Sequence, residues 1–343
     1  MNESEPAMIE LAARVYRGEV VEALHFATVA VLDKKGNLIY YLGNPDEDFM
    51  TRSVVKPFQA MPLILSGAAD HFGFSPKQVA VTCASHIGTD EHREVVLSNL
   101  KLAGNRPEDL QCGTHLPIYM TMHNLYPTGG EERDPLRHNC SGKHSGFLAL
   151  ARYLGEDIAL YLDPESRTQQ MVKKAVAEMC EYPPENIKVG IDGCSAPVFA
   201  VPIKNLALGF KKLASGEGRT PEYAATAQRI REAMTAHPVM VSGEGRLDYD
   251  IKRSFPGNAV CKIGAEAIEG IGFADPPLGI CVKILDGNQR ALGPVCVEVF
   301  KQLGIIKNID DYPLLKRYIN PEILNYRKLV TGNIVCDFKL RKA

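Results

Sequence analysis

Apolar and polar positions first settle into a pattern at Val21–Leu32 (VEALHFATVAVL), an extended run that reads as a strand. Asp33-Lys34-Lys35-Gly36 then makes a tight turn, and Leu38–Leu42 returns as the antiparallel partner. From Ser53 the spacing becomes helical, with Phe58, Met61, Leu63, Ile64 and Leu65 in an apolar stretch that ends at Gly67. The run Gln78–Ser85 (QVAVTCAS) reads as a buried strand, and Thr89-Asp90 caps a helix through Val96 and Leu100. A polar loop over Pro135–Gly146 precedes the helical GFLALARYLG, and Asn186–Asp192 (NIKVGID) is a strand that ends in a Gly-Cys-Ser loop. Further on, Pro221–Ala236 is helical, Ser242–Arg246 is a glycine loop before the segment Ala259–Ala267, and Gly279–Leu285 is strand-like. A turn at Asp286-Gly287-Asn288 leads into a helix over Arg290–Leu303, and Asn333–Leu340 closes the chain as a strand. With no repeat, linker or charged tail to divide it, the chain predicts a single α/β domain over 1–343, or two intimately packed subdomains, with a mixed, largely antiparallel sheet and flanking helices.

Composition narrows the field of partners. Apolar residues make up 45% of the 343 and charged residues 23%, the mixture of a globular chain with a substantial core. A formal net charge of only −2 provides no long-range attraction for phosphate backbones or anionic lipid, so no nucleic acid is expected as a partner. The N-terminus begins with acidic and polar residues where an export signal needs a basic start and an apolar run. No apolar run approaches the ~18 residues of a membrane span, so no membrane is expected either. Nine cysteines, scattered and without a Cys-x-x-Cys pair, fit reduced thiols in a cytoplasmic protein.

The sharpest chemical signal is RSVVKPF, residues 52–58, in which Ser53 and Lys56 stand three apart at a helix start. Positions i and i+3 share a face, so the spacing predicts the Lys56 amine within hydrogen-bond reach of the Ser53 hydroxyl. A serine needs a base beside it to attack at neutral pH, and a lysine serves if burial or a second cation keeps it uncharged. The alternative is an ordinary helix-capping serine with a solvated lysine, since short motifs recur by chance. Ser85, after an apolar run, and Lys262, on a further strand-like segment, add a second serine and a second lysine. Their chain order matches that of the penicillin-recognising serine enzymes, whereas a strand-edge lysine is the alternative for Lys262 alone.

Two glycine-containing loops, HNCSGKHSG (138–146) and GIDGCS (190–195), concentrate polar side chains. Amides at the helix start after the first can bind an anion. Cys140 and Cys194 with Lys143 or His144 offer zinc-type donors, although the wide separation of the two cysteines also suits buried, unreactive thiols. His86, His92 and His25 read as hydrogen-bonded structural histidines, and Gly243-Glu244-Gly245-Arg246 as a turn that lacks the third glycine of a dinucleotide site.

Taken together, RSVVKPFQ (52–59), CASHIGTDEH (83–92), HNCSGKHSGFL (138–148), GIDGCSAPVFAVP (190–202), SGEGR (242–246), KIGAEA (262–267) and VKILDG (282–287) resemble the bacterial L-asparaginase II family of the thermolabile rhizobial type. The resemblance implies a fold similar to serine β-lactamases and glutaminases, hydrolysis of L-asparagine to aspartate and ammonia, and a homodimer. It implies Ser53, Lys56, Ser85 and Lys262 as the catalytic quartet, with Ser53 at the nucleophile position. Arg52, His86, His144 and Asp192 are expected at the substrate, Asp192 on its ammonium group. Cys140, Lys143 and Cys194 match the family's zinc ligands, whereas Asp248 stands where a cysteine near that metal is expected. A β-lactamase, peptidase or glutaminase type of acyl-serine hydrolase, and a non-catalytic zinc- or amino-acid-binding protein, are the competing expectations.

Overall fold

The computed structural model describes residues 9–343, so the reading of the extreme N-terminus lies largely outside the described residues. Three strands open the chain: β1 (Glu10–Arg17), β2 (Val20–Leu32) and β3 (Leu38–Leu42). The expected hairpin of β2 and β3 forms, with Val29 opposite Leu42 and Val31 opposite Tyr40. At its turn the Gly36 amide donates to the Asp33 carbonyl, and Gly36 takes a φ of +82°, which a residue with a Cβ rarely adopts.

A small sheet follows from β4 (Asp48–Met50), β5 (Lys188–Ile191) and β6 (Pro197–Pro202), in the order β4-β6-β5. The main sheet is completed by β7 (Ala259–Gly264), β8 (Ile268–Ala274), β9 (Pro277–Ile284), β10 (Glu322–Leu324), β11 (Val330–Cys336) and β12 (Arg341–Lys342). Among the described residues it has nine strands in the order β10-β11-β1-β2-β9-β8-β7, with β3 on β2 and β12 on β3. Every pairing is antiparallel. The largely antiparallel α/β architecture is therefore present.

Both faces of the central strands are buried. Along β2, Ala27, Val29 and Val31 pack into one apolar cluster with the helix Gln289–Gln302, while Ala30 and Leu32 pack into a second with the helix Ile203–Ser215. That two-sided burial follows from the period of two along a strand. The helix Ile203–Ser215 sits very close to the sheet because glycines face it. A Cβ on Gly270 would lie 2.1 Å from the Phe210 ring, and one on Gly272 2.1 Å from the Phe210 carbonyl oxygen.

Two expected elements change. Gln78–Ser85 is not a strand: Pro76–Thr82 is a helix, opened by Ser75, whose hydroxyl accepts from the Gln78 amide while the Gln78 side chain accepts from the Ser75 amide. A short apolar run fits either period, and the Ser-Pro-x-Gln start is the signal that decides for a helix. The loop expected up to Gly146 ends sooner, since the helix Ser141–Leu154 already contains Lys143 and His144 in its first turns. Gly142 lets it approach Pro76–Thr82, where a Cβ would meet the Val81 carbonyl oxygen at 2.1 Å. The helices Asp90–Leu102 and Pro221–Ala236 and the strand β5 lie where the pattern puts them.

Candidate active site

Ser53 lies in a tight 3₁₀ turn, Arg52–Val55, that runs directly into the short helix Lys56–Gln59. The Thr51 amide donates to the Phe199 carbonyl at 2.9 Å, tying the turn to β6, and Arg52 enters it at a φ of +47°. On its other side the turn lies against β7, where a Cβ on Gly264 would come 3.0 Å from Val54 and 3.3 Å from the Thr51 carbonyl oxygen. Val260 and Gly264 share one face of β7 with Lys262, since side chains alternate along a strand. Lys262 thus belongs to the face against which the Ser53 turn packs.

The Lys56 side chain does not turn back to Ser53. It is fully buried and its Nζ donates to the Ala84 carbonyl at 2.7 Å, to Ser85 Oγ at 3.0 Å and to Cys140 Sγ at 3.1 Å. The i, i+3 expectation fails because the segment starts as a 3₁₀ turn and the long lysine side chain finds three acceptors on other elements. Ser53 and Ser85 nevertheless meet in one cleft of about 420 Å³, whose walls include Asn139, Arg246, Gly264 and Tyr318.

Lys262 is fully buried, and its Nζ donates to the Ile263 carbonyl at 2.5 Å. Burial pushes its pKa down to about 7; the Lys56 and Arg246 charges add to that, while Asp248 and Glu269 oppose it. Asp248 is also fully buried, accepting from the Ile263 amide at 3.4 Å and lying 3.6 Å from the Lys252 Nζ. Burial pushes its carboxyl upward, but Lys252, Lys262 and Arg246 outweigh this and hold it below the usual carboxylate range. Asp248 therefore belongs to the lysines beneath the cleft. Behind it, Glu269 has both carboxyl oxygens buried without a partner, and burial raises its pKa well above the usual carboxylate range.

Cys140 and Lys143, at the start of the helix Ser141–Leu154, come together with Cys194 from the loop after β5. The Lys143 Nζ is 3.1 Å from Cys194 Sγ, and a hydrogen bond from Cys194, with the nearby lysine charges, holds the Cys140 thiol well below the usual thiol range. Two sulfurs and a neighbouring amine make a donor set of the zinc type, and buried His144 Nε2 has no hydrogen-bond partner. Among the described residues no three His, Cys, Asp or Glu side chains are grouped to hold a metal, so an ion here requires the lysine amine. Asp192 is engaged by Arg52, which donates to it from Nε at 2.8 Å, and its Oδ2 lies 3.8 Å from Cys194 Sγ. His144 is bonded to the Tyr161 hydroxyl at 2.7 Å. His86 is fully buried, bonded to Ser141 Oγ at 2.9 Å and stacked on His92. Burial keeps His86 neutral.

Sequence reasoning missed the lower tier of the site. Glu269 shows only as a carboxylate inside the otherwise apolar strand IEGIGFA, and Arg246 was read as part of a turn although it lines the cleft.

No curated protein matches the chain. Among solved structures it is similar to a β-lactamase from Sphaerobacter thermophilus DSM 20745 at 13% identity and a TM-score of 0.41, covering 83% of this chain and 94% of that one. It is similar to the protein Mglu at 18% identity and 0.36, covering 82% and 68%. It is also similar to an octameric penicillin-binding protein homologue from Pyrococcus abyssi at 10% identity and 0.33, covering 88% and 79%. Likenesses this distant carry no argument about activity. The family match is of another order: the L-asparaginase II model aligns with residues 13–336, nearly the whole chain and every residue of the cleft, and the chain belongs to the L-asparaginase II family.

Proposed function

We propose that this protein hydrolyses the side-chain amide of L-asparagine to L-aspartate and ammonia through an acyl-serine intermediate. The observation that carries the reading is the cleft in which Ser53 and Ser85 face a common space over two buried lysines, one of them bonded to Ser85 at 3.0 Å. Family membership supports asparagine as the substrate.

Lys262 is the amine best suited to act as the base, because burial leaves much of it uncharged near neutral pH. In the proposed cycle Lys262 takes the proton of Ser53, and Ser53 Oγ attacks the amide carbon. The carbon–nitrogen bond breaks as the departing nitrogen takes a proton from Ser85, which Lys56 replenishes. Water then gives a proton to Lys56 and opens the ester, and Lys262 returns its proton to Ser53. Each lysine ends as it began, and one water has been consumed. Relative to the sequence-based expectation, the two lysines exchange partners: Lys56 serves Ser85 and Lys262 serves Ser53.

Cys140, Lys143 and Cys194 are the residues that would hold a zinc ion, which when bound supplies a fixed positive charge and holds the sulfurs as thiolates. Without it, Lys143 is the cation between the sulfurs; burial disfavours its charge, but Cys194 and Cys140 raise its pKa above the ordinary lysine value. Among the described residues no helix is long and apolar enough to cross a membrane. Ammonia release from L-asparagine, L-glutamine and nitrocefin-type lactam turnover, on wild type and Ser53→Ala, tests the reading. Ammonia from asparagine that disappears in Ser53→Ala is the expected result, and undiminished release by Ser53→Ala refutes the assignment of the nucleophile.

A further inference from the structure

Arg246 takes no part in the chemistry so far. It ends the SGEGR loop at the head of the helix Leu247–Ser254 and lines the same cleft as Ser53 and Ser85. Its Nε is shut away from solvent and has no hydrogen-bond partner. Of the carboxylates that flank it in sequence, Glu244 accepts from the Tyr249 hydroxyl at 3.3 Å, Asp250 is paired with Arg317 and accepts from the Tyr318 hydroxyl, and Asp248 lies beside Lys252 with its Oδ1 unpartnered. A guanidinium is always charged and offers its donors as a rigid fork that matches a carboxylate; the Arg246 charge reaches Asp248, but no carboxylate of the described residues bonds its Nε.

The loop that carries it is held in place. Gly243, at a φ of +117°, packs where a Cβ would come within 2.5 Å of the Ile87 side chain. The Gly245 carbonyl accepts from Arg317 at 2.8 Å, and the Arg246 carbonyl accepts from the Asp250 amide at 2.9 Å. An arginine presented by a fixed backbone on the wall of a cleft that contains two serines is arranged to receive an anionic ligand.

We propose that Arg246 grips the α-carboxylate of the substrate, so that the cleft selects amides bearing a free carboxylate and rejects an asparagine side chain within a peptide, where that carboxylate has become an amide. The proposal rests on the amidohydrolase reading of the cleft and assigns the end of the substrate that Asp192, already paired with Arg52, leaves unheld.

The test compares ammonia release from L-asparagine and from 3-aminopropanamide, the same molecule without its carboxylate, by wild type, Arg246→Met and Arg246→Lys. A hydrogen-bonded charge pair of this kind predicts that Arg246→Met loses roughly 10- to 100-fold more kcat/KM on asparagine than on 3-aminopropanamide, with Arg246→Lys recovering part of the difference. Equal losses on the two substrates overturn the proposal, since they mean that Arg246 serves only to balance the buried Asp248. If wild type releases ammonia from neither compound, the amidohydrolase reading fails, and calorimetric titration of L-aspartate and succinate decides the Arg246 question separately. Binding by wild type that is lost in folded Arg246→Met supports the carboxylate site, and no binding by wild type overturns it.

Discussion

Replacing Lys262 by methionine exposes the energetic cost of the proposed base. In the unfolded chain this lysine titrates near its ordinary value of 10.5, and in the folded protein near 7. Between those values the unfolded state binds more protons than the folded one, so stability rises with pH across this window. The 3.5-unit difference, at about 1.4 kcal/mol per unit, makes Lys262 cost on the order of 5 kcal/mol below pH 7, a cost that fades toward pH 10.5. From pH 6 to pH 9 the linkage predicts that wild type gains about 3 kcal/mol relative to Lys262→Met. Urea unfolding of both proteins at half-unit steps of pH measures this, because the other titrating groups are common to the pair and largely cancel in the difference. Asp248 loses one neighbouring cation in the variant but keeps Lys252 at 3.6 Å. A wild-type minus variant difference that stays flat from pH 6 to pH 9 refutes the claim that the folded protein holds this amine near neutrality, and with it the role of Lys262 as the base.

Four further outcomes follow from the same geometry. The pH profile of kcat/KM on asparagine rises through about 7 as Lys262 loses its proton, and a profile already level from pH 5 to pH 8 contradicts the scheme. Lys56→Met removes the donor to Ser85 and the Ala84 carbonyl, so ammonia release falls by roughly 100-fold or more while circular dichroism stays native-like; near-normal turnover would count against a relay through Ser85. Gly272→Ala drives a methyl group into the Phe210 carbonyl, where neither residue lines the cleft, and is expected to lower unfolding stability by about 1–3 kcal/mol with normal activity per folded molecule. After equilibration with zinc and desalting, elemental analysis is expected to find one ion per chain in wild type and none in Cys194→Ala; equal retention by both places the ion elsewhere.

The strands were legible where side chains alternate or a turn residue leaves little choice. The β2–β3 hairpin follows from the apolar run Ala27–Leu32 and from Gly36, and Pro221–Ala236 from the Thr-Pro start that its cap completes. Gln78–Ser85 was misread because Val79, Ala80 and Val81 are buried in either periodicity, and only the reciprocal Ser75–Gln78 bonds separate the two. Strand β8 escaped notice because Gly270 and Gly272 interrupt its apolar face, and those gaps make sense only once Phe210 is seen against them. In the site, the Ser-x-x-Lys spacing drew attention to Ser53 and Lys56 but suggested the wrong partner for the lysine.

The sequence by itself determined which kinds of groups the protein possesses: two serines, two lysines and a pair of cysteines in ordered blocks, on a chain apolar enough to bury them. Those properties are local, set by residue type, spacing and turn chemistry. Tertiary structure decided which elements are neighbours, because Lys56 reaches across to Ser85 while β7, which carries Lys262, packs against the Ser53 turn from about two hundred residues away. It alone decided charge as well. Whether a lysine is a cation or a base depends on the water excluded around it and on charges such as Asp248, Glu269 and Arg246, which are brought to Lys262 only by folding.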